Sequence, residues 1–130
     1  MMQDTYRRTT SVISVVDDDE SVRIALESLL RSNGYLVRTY ADALAFLHSS
    51  GPGETHCLVS DIQMPGMCGV QMHEELMAMG FHIPIIFITG YPGALPRINA
   101  GTHELIALLP KPFQADELMN CIEIALDRHI

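Results

Sequence analysis

Short β-rich apolar runs alternate with segments of helical spacing along this chain, and that alternation constrains its fold more than any other feature. Five runs read as strands: residues 11–16 (SVISVV), 35–40, 57–60, 83–89 and 105–109. Between the first two, Val22, Ala25, Leu26, Leu29 and Leu30 recur at helical spacing over residues 21–32, and Asn33-Gly34 supplies a stop. Asp42 is placed to cap a short helix carrying Leu44 and Leu47, which the Gly/Pro/Ser loop at 49–53 ends. Residues 70–79 have helix-forming composition with Leu76 as a core candidate, and residues 115–128 put Leu118, Ile122, Ala125 and Leu126 on one face. Pro92, Gly93, Pro96 and Gly101 crowd the place of the fourth helix, which is expected to be short or irregular. A β-α unit repeated five times predicts an α/β fold, a parallel sheet between helices with right-handed crossovers.

The chain has 130 residues, 48% of them hydrophobic, which suits one well-buried domain, expected over residues 11–130 behind a flexible tail at 1–10. A net charge of −8 argues against a grip on nucleic-acid phosphates, so no direct nucleic-acid partner is expected. Cys57, Cys68 and Cys121 are odd in number and form no zinc-like cluster with the scattered histidines, which suits a reducing cytoplasm. The apolar run at 12–16 is too short for a signal core or a membrane span, and no membrane association is expected.

In an open parallel sheet, ligands bind beyond the carboxyl ends of the strands. Here those ends are polar: the first runs into Asp17-Asp18-Asp19, the third into Asp61, the fourth into Thr89-Gly90 and the fifth into Lys111-Pro112. If they converge, one cleft holds several carboxylates, a hydroxyl and an ammonium. Crowded carboxylates repel unless a cation intervenes, and hard oxygen ligands suit Mg²⁺, with Mn²⁺ as a substitute. Asp61 could then stay ionised and attack a phosphoryl group, with Lys111 and Thr89 contacting its oxygens and Gly90 leaving room for its approach.

Taken singly, each feature has a plainer reading. Residues 17–20 could be a helix-capping acidic run, Asp61 a turn former, Lys111 a loop lysine and Thr89 a β-favoured strand end. Their placement after successive strands makes coincidence the poorer account. Met64, Met67, Met72, Met77 and Met79 are read as packing or surface residues rather than as soft-metal ligands.

VVDDDES, LVSDIQMPGMCGVQ, IIFITG and LLPKPF stand in an order and spacing that resemble the response-regulator receiver family over residues 11–127, most closely its FixJ/LuxR-type subgroup. The resemblance implies a flavodoxin-like (βα)5 doubly wound sheet of strand order 2-1-3-4-5. It implies that Asp61 accepts a phosphoryl group from a sensor histidine kinase or phosphotransfer protein. Asp17 and Asp18 match the family's acidic pair, the carbonyl of Gln63 completes its metal site, and Thr89 and Lys111 match its switch hydroxyl and phosphate-binding lysine. A cis Lys111-Pro112 peptide is expected by the same resemblance. By the same resemblance Gln63 and Tyr91 occupy positions that tune phosphate lifetime in the family, and Tyr91 is a candidate shield of the acyl phosphate. The face from the fourth to the fifth helix is one that family members use for dimerisation or output, so a homodimer there is an open reading. Leu108 departs from the pattern, since an aromatic residue usually stands there, and so does Pro110 before the lysine.

Three rival readings remain at this point. One is a receiver-like scaffold whose output does not depend on phosphorylation. Another is an aspartate-nucleophile phosphatase, which would want an Asp where Gln63 stands. The third is a nucleotide-binding flavodoxin-like protein, for which no Gly-rich loop follows the first strand. The last helix ends near Ile130, so the chain is either a stand-alone receiver or the regulatory part of a longer transcriptional regulator.

Overall fold

The computed structural model describes residues 10–90 and 104–129. Strands β1 (Val12–Val16), β2 (Leu36–Tyr40), β3 (Cys57–Asp61), β4 (Ile85–Thr89) and β5 (Leu105–Pro110) form one sheet in the order β2-β1-β3-β4-β5. All four pairings are parallel. The helices are α1 (Glu20–Ser32), α2 (Ala43–Leu47), α3 (Gly51–Glu54), α4 (Gly69–Ala78) and α5 (Ala115–His129). This is the doubly wound, flavodoxin-like architecture expected from the alternation and the resemblance. The segment predicted to hold the irregular fourth helix, and most of the predicted tail, lie outside the described residues.

Strand alternation divides the core into two layers. Ile13, Val15, Val37, Val59, Ile86 and Ile88 pack with Leu26 and Leu30 of α1 and with Leu118, Ile122, Ala125 and Leu126 of α5. On the other face Val16, Leu58, Ile85 and Phe87 pack with Phe46 of α2 and with Met72 and Leu76 of α4. Strands β1, β3 and β4 are buried throughout, as expected for central strands covered on both sides. Between β4 and β5 the register shifts at Ile85/Ile86, so that Ile85 faces Leu105 while Ile86 faces Ala107. The shift leaves Ile106 as the extra residue and aligns Leu108 with Phe87 and Pro110 with Thr89. Pro110 ends an edge strand, where a missing amide donor is tolerated.

Local chemistry accounts for the boundaries. The Asp19 carboxylate caps α1 by accepting from the Ser21 backbone N–H at 2.9 Å and from its hydroxyl at 2.7 Å. Asn33 ends that helix and Gly34 turns the chain at φ 92°. Asp42 caps α2 through the Ala45 N–H, as the sequence predicts, but the buried side chains there are Ala43 and Phe46. Leu44 is 50% exposed, because a five-residue helix turns only one narrow face to the sheet. Ala25 is likewise exposed. Residues 51–53, expected as loop, form with Glu54 the single helical turn α3. Proline suits a first helical position, and Thr55 closes the turn by donating its hydroxyl to the Gly51 carbonyl at 2.6 Å.

Candidate phosphoryl and cation site

Three acidic side chains meet at the carboxyl end of the sheet. Asp17 follows β1 directly, Asp61 is the last residue of β3, and Asp18 extends the turn after β1. One carboxylate oxygen from each lies within 4.8 Å of the other two. The ammonium of Lys111, just past β5, stands 3.5 Å from Asp61 Oδ2 and 3.7 Å from Asp17 Oδ2. The Lys111 backbone N–H donates to the Thr89 carbonyl at 2.7 Å, which ties the ends of β4 and β5 together.

Burial differs sharply within the group. Asp17 is 0% exposed and Asp61 nearly buried, whereas Asp18 is exposed. Asp17 Oδ1 accepts from the Asp19 N–H at 2.9 Å, while its Oδ2 has no hydrogen-bond partner among the described residues. Burial pushes the Asp17 carboxyl above its ordinary range, with the Asp19 N–H and Lys111 pulling it back and Asp61 and Asp18 adding to the rise. A buried, unsatisfied carboxylate oxygen beside two further carboxylates, with one ammonium in reach, fits a hard divalent cation.

The remaining sequence candidates are placed as follows. Thr89 is 1% exposed at the end of β4. Its neighbour Ile88 faces Asp61 in register, so the threonine and the aspartate end adjacent strands. Gly90 is exposed, and a Cβ there would meet no described heavy atom within 4 Å, so crowding in the described fold does not demand glycine. Gln63 is exposed and its N–H donates to Asp61 Oδ1 at 3.3 Å. The Lys111-Pro112 peptide is cis. Leu108 is half-buried on the face of Phe87 and α4. Tyr91 lies outside the described residues.

Two residues escaped the sequence reading. A Cβ on Gly69 would stand 2.3 Å from the Asp61 carbonyl oxygen and 3.1 Å from Ile62 Cα. The Gly69 N–H also donates to the Ile62 carbonyl at 2.7 Å, so α4 starts flush against the backbone that carries Asp61. The second is Arg23 of α1, whose Nη1 donates to the Asp17 carbonyl at 2.7 Å. MPGMCG did draw attention to the loop before α4, but nothing local to it distinguishes a close approach from an ordinary turn.

A family model described as the response regulator receiver domain matches residues 13–123. The response regulator protein TmoT of Ectopseudomonas mendocina is 42% identical over 119 residues, covering 89% of this chain and 53% of that protein. Among solved structures, the response regulator StyR matches with a TM-score of 0.82 and 41% identity over 92% of this chain and 61% of that one. The FixJ-N crystal structure matches at 0.77 and 33% identity, over 90% and 94%. The chain spans about half the length of the curated relatives it matches.

Proposed function

The chain belongs to the response regulator receiver domain family, and on that premise we propose that Asp61 is its phosphoacceptor, charged by the phosphohistidine of a sensor kinase or phosphotransfer protein. Its place is in phosphorylation-dependent two-component signalling, as in the transcriptional regulators it resembles. The observation that carries the residue assignment is the convergence of Asp17, Asp18, Asp61 and Lys111 from three strand ends onto one cluster.

In the transfer, an Asp61 carboxylate oxygen forms a bond to phosphorus as the phosphorus–nitrogen bond of the donor breaks, and its electron pair returns to the imidazole. Lys111 pairs with one phosphoryl oxygen and the Thr89 hydroxyl donates to another. The Gln63 N–H, already on Asp61 Oδ1, orients the carboxylate. A bound Mg²⁺, or Mn²⁺ in its place, would be held by Asp17, Asp18, Asp61 and the Gln63 carbonyl and would supply neutralising positive charge. Attack of water on phosphorus later restores Asp61 and releases phosphate, so the domain assists its own charging and discharging without turning over a metabolite.

An aspartyl phosphate draws Thr89 and Lys111 inward and biases a surface that includes β5 and α5. Each ~1.4 kcal/mol of differential stabilisation shifts a two-state equilibrium tenfold, so two charge-assisted contacts suffice. The same surface is the proposed homodimer face. The working compartment is the cytoplasm, and among the described residues no helix is long and apolar enough to cross a membrane. Leu108, aligned with Phe87 and lacking an aromatic ring, supports a second reading in which output does not depend on phosphorylation.

Intact mass before and after incubation with Mg²⁺ and acetyl phosphate tests the assignment. One added phosphoryl group in the wild type, absent in Asp61→Asn and in a metal-free control, is the expected result. No adduct, together with no binding of a beryllofluoride mimic, would overturn it in favour of the second reading.

A further inference from the structure

Resting on the reading of the carboxylates as a cation site beside a phosphoacceptor, we propose that Arg23 is the positioning residue of the acidic turn. Its guanidinium holds the Asp17 carbonyl and thereby sets the direction in which Asp18 presents its carboxylate.

The turn after β1 is held at several points. The Asp17 N–H donates to the Tyr40 carbonyl at 3.1 Å, extending the β1–β2 pairing by one residue. The Asp17 side chain accepts from the Asp19 N–H, and Asp19 in turn caps α1. Arg23 supplies a further hold, reaching back from α1 to the Asp17 carbonyl at 2.7 Å. That oxygen belongs to the same rigid peptide plane as the Asp18 N–H, so anchoring it fixes the plane from which Asp18 departs. Asp17 is buried and its carboxylate is held by the Asp19 N–H, whereas Asp18 is exposed and its direction follows its backbone.

The residue type suits the task. A guanidinium donates in a planar fork and keeps its charge at any working pH, and a charged donor makes a shorter, stronger bond to a carbonyl than a neutral one. A residue that merely fastened α1 to the sheet would affect stability and leave cation affinity alone. A positioning residue changes affinity in a protein that still folds.

The test compares the full chain with Arg23→Met and Arg23→Lys by Mg²⁺ titration calorimetry, metal-free melting, and the rate of phosphoryl incorporation from acetyl phosphate. Arg23→Met is expected to raise the Mg²⁺ dissociation constant by about fivefold, the scale of one partly exposed charge-assisted hydrogen bond. Incorporation slows by a similar factor, Arg23→Lys recovers part of both, and the metal-free melting transition stays cooperative. A folded Arg23→Met protein with wild-type Mg²⁺ affinity would overturn the proposal. Should that variant not fold, Arg23→Gln, which keeps an N–H donor on a shorter side chain, is judged by the same criterion. If the wild type takes no phosphoryl group while the variants still weaken Mg²⁺ binding, the phosphoacceptor reading fails and the role of Arg23 stands. Equal affinities and equal incorporation rates in all proteins give the reverse.

Discussion

Single residues decide how the acidic cluster is held. At Gly69 any side chain meets the Asp61 carbonyl oxygen, which is backbone and cannot rotate away. Gly69→Ala is therefore expected to cost about 1–3 kcal/mol in urea unfolding and to slow acetyl phosphate labelling; a variant with wild-type stability and labelling would show that the loop yields freely. His73 offers a pH-dependent counterpart on α4. Its Nε2 is buried with no hydrogen-bond partner among the described residues, and its ring meets Phe87 edge-on at 6.3 Å. Burial lowers its pKa, with Glu104 and Glu74 opposing. Above the ordinary histidine value, about 6.5, the ring is neutral in both states. As pH falls below that value the unfolded chain takes the proton first, so stability drops and levels off only below the folded-state pKa. Urea midpoints of wild type and His73→Leu should diverge from pH 7 down to pH 5, with the wild type losing more; parallel curves would sink this. Asp17, Asp18, Asp61, Thr89 and Lys111 were legible because each follows a recognisable strand. Gly69 and Arg23 were not, because their contacts with the segments carrying Asp61 and Asp17 are distances across the fold.

At the level of elements, periodicity read the long helices well and the short ones poorly. α5 buries the residues its spacing marks, and α1 buries Leu26 and Leu30 with Val22 and Leu29 partly covered and Ala25 exposed, because several turns average out local irregularity. α2 and α3 have too few turns for a period to show, and each is set by particular bonds. For α3 the bond is a buried pair: Ser14 Oγ of β1 lies 2.6 Å from Thr55 Oγ1, which also donates to the Gly51 carbonyl. Ser14 is a polar residue in the middle of a fully buried strand, and this pair explains its presence. Thr55→Val should cost about 1–3 kcal/mol by leaving the Ser14 hydroxyl without that partner. Replacing both residues, as Ser14→Ala with Thr55→Val, should cost less than the sum of the single changes. Strict additivity in denaturant unfolding would argue that the two hydroxyls act independently.

For the whole molecule, carboxylates gathered at one end of the sheet would make folding depend on any cation they hold. A ligand that binds only the folded form stabilises it by RT ln(1 + [L]/Kd), about 1.4 kcal/mol at ten times Kd. Mg²⁺ at that level is expected to raise the melting midpoint by about 4 °C, and Asp18→Asn should abolish most of the rise. An unchanged midpoint over a wide range of Mg²⁺ would remove the case for a cation at Asp17, Asp18 and Asp61. By itself the sequence determined the number of strands and their succession along the chain, the two-layer burial of the central ones, and the polar residues at the strand ends. These are properties of period and composition, which a segment carries wherever it sits. Tertiary structure decided the register shift that aligns Leu108 with Phe87, the approach of Gly69 to Asp61, and the reach of Arg23 to Asp17. It also left Asp17 Oδ2 buried without a hydrogen-bond partner among the described residues. Those depend on how far apart packed segments lie in space, and hydrophobic periodicity carries no record of that distance.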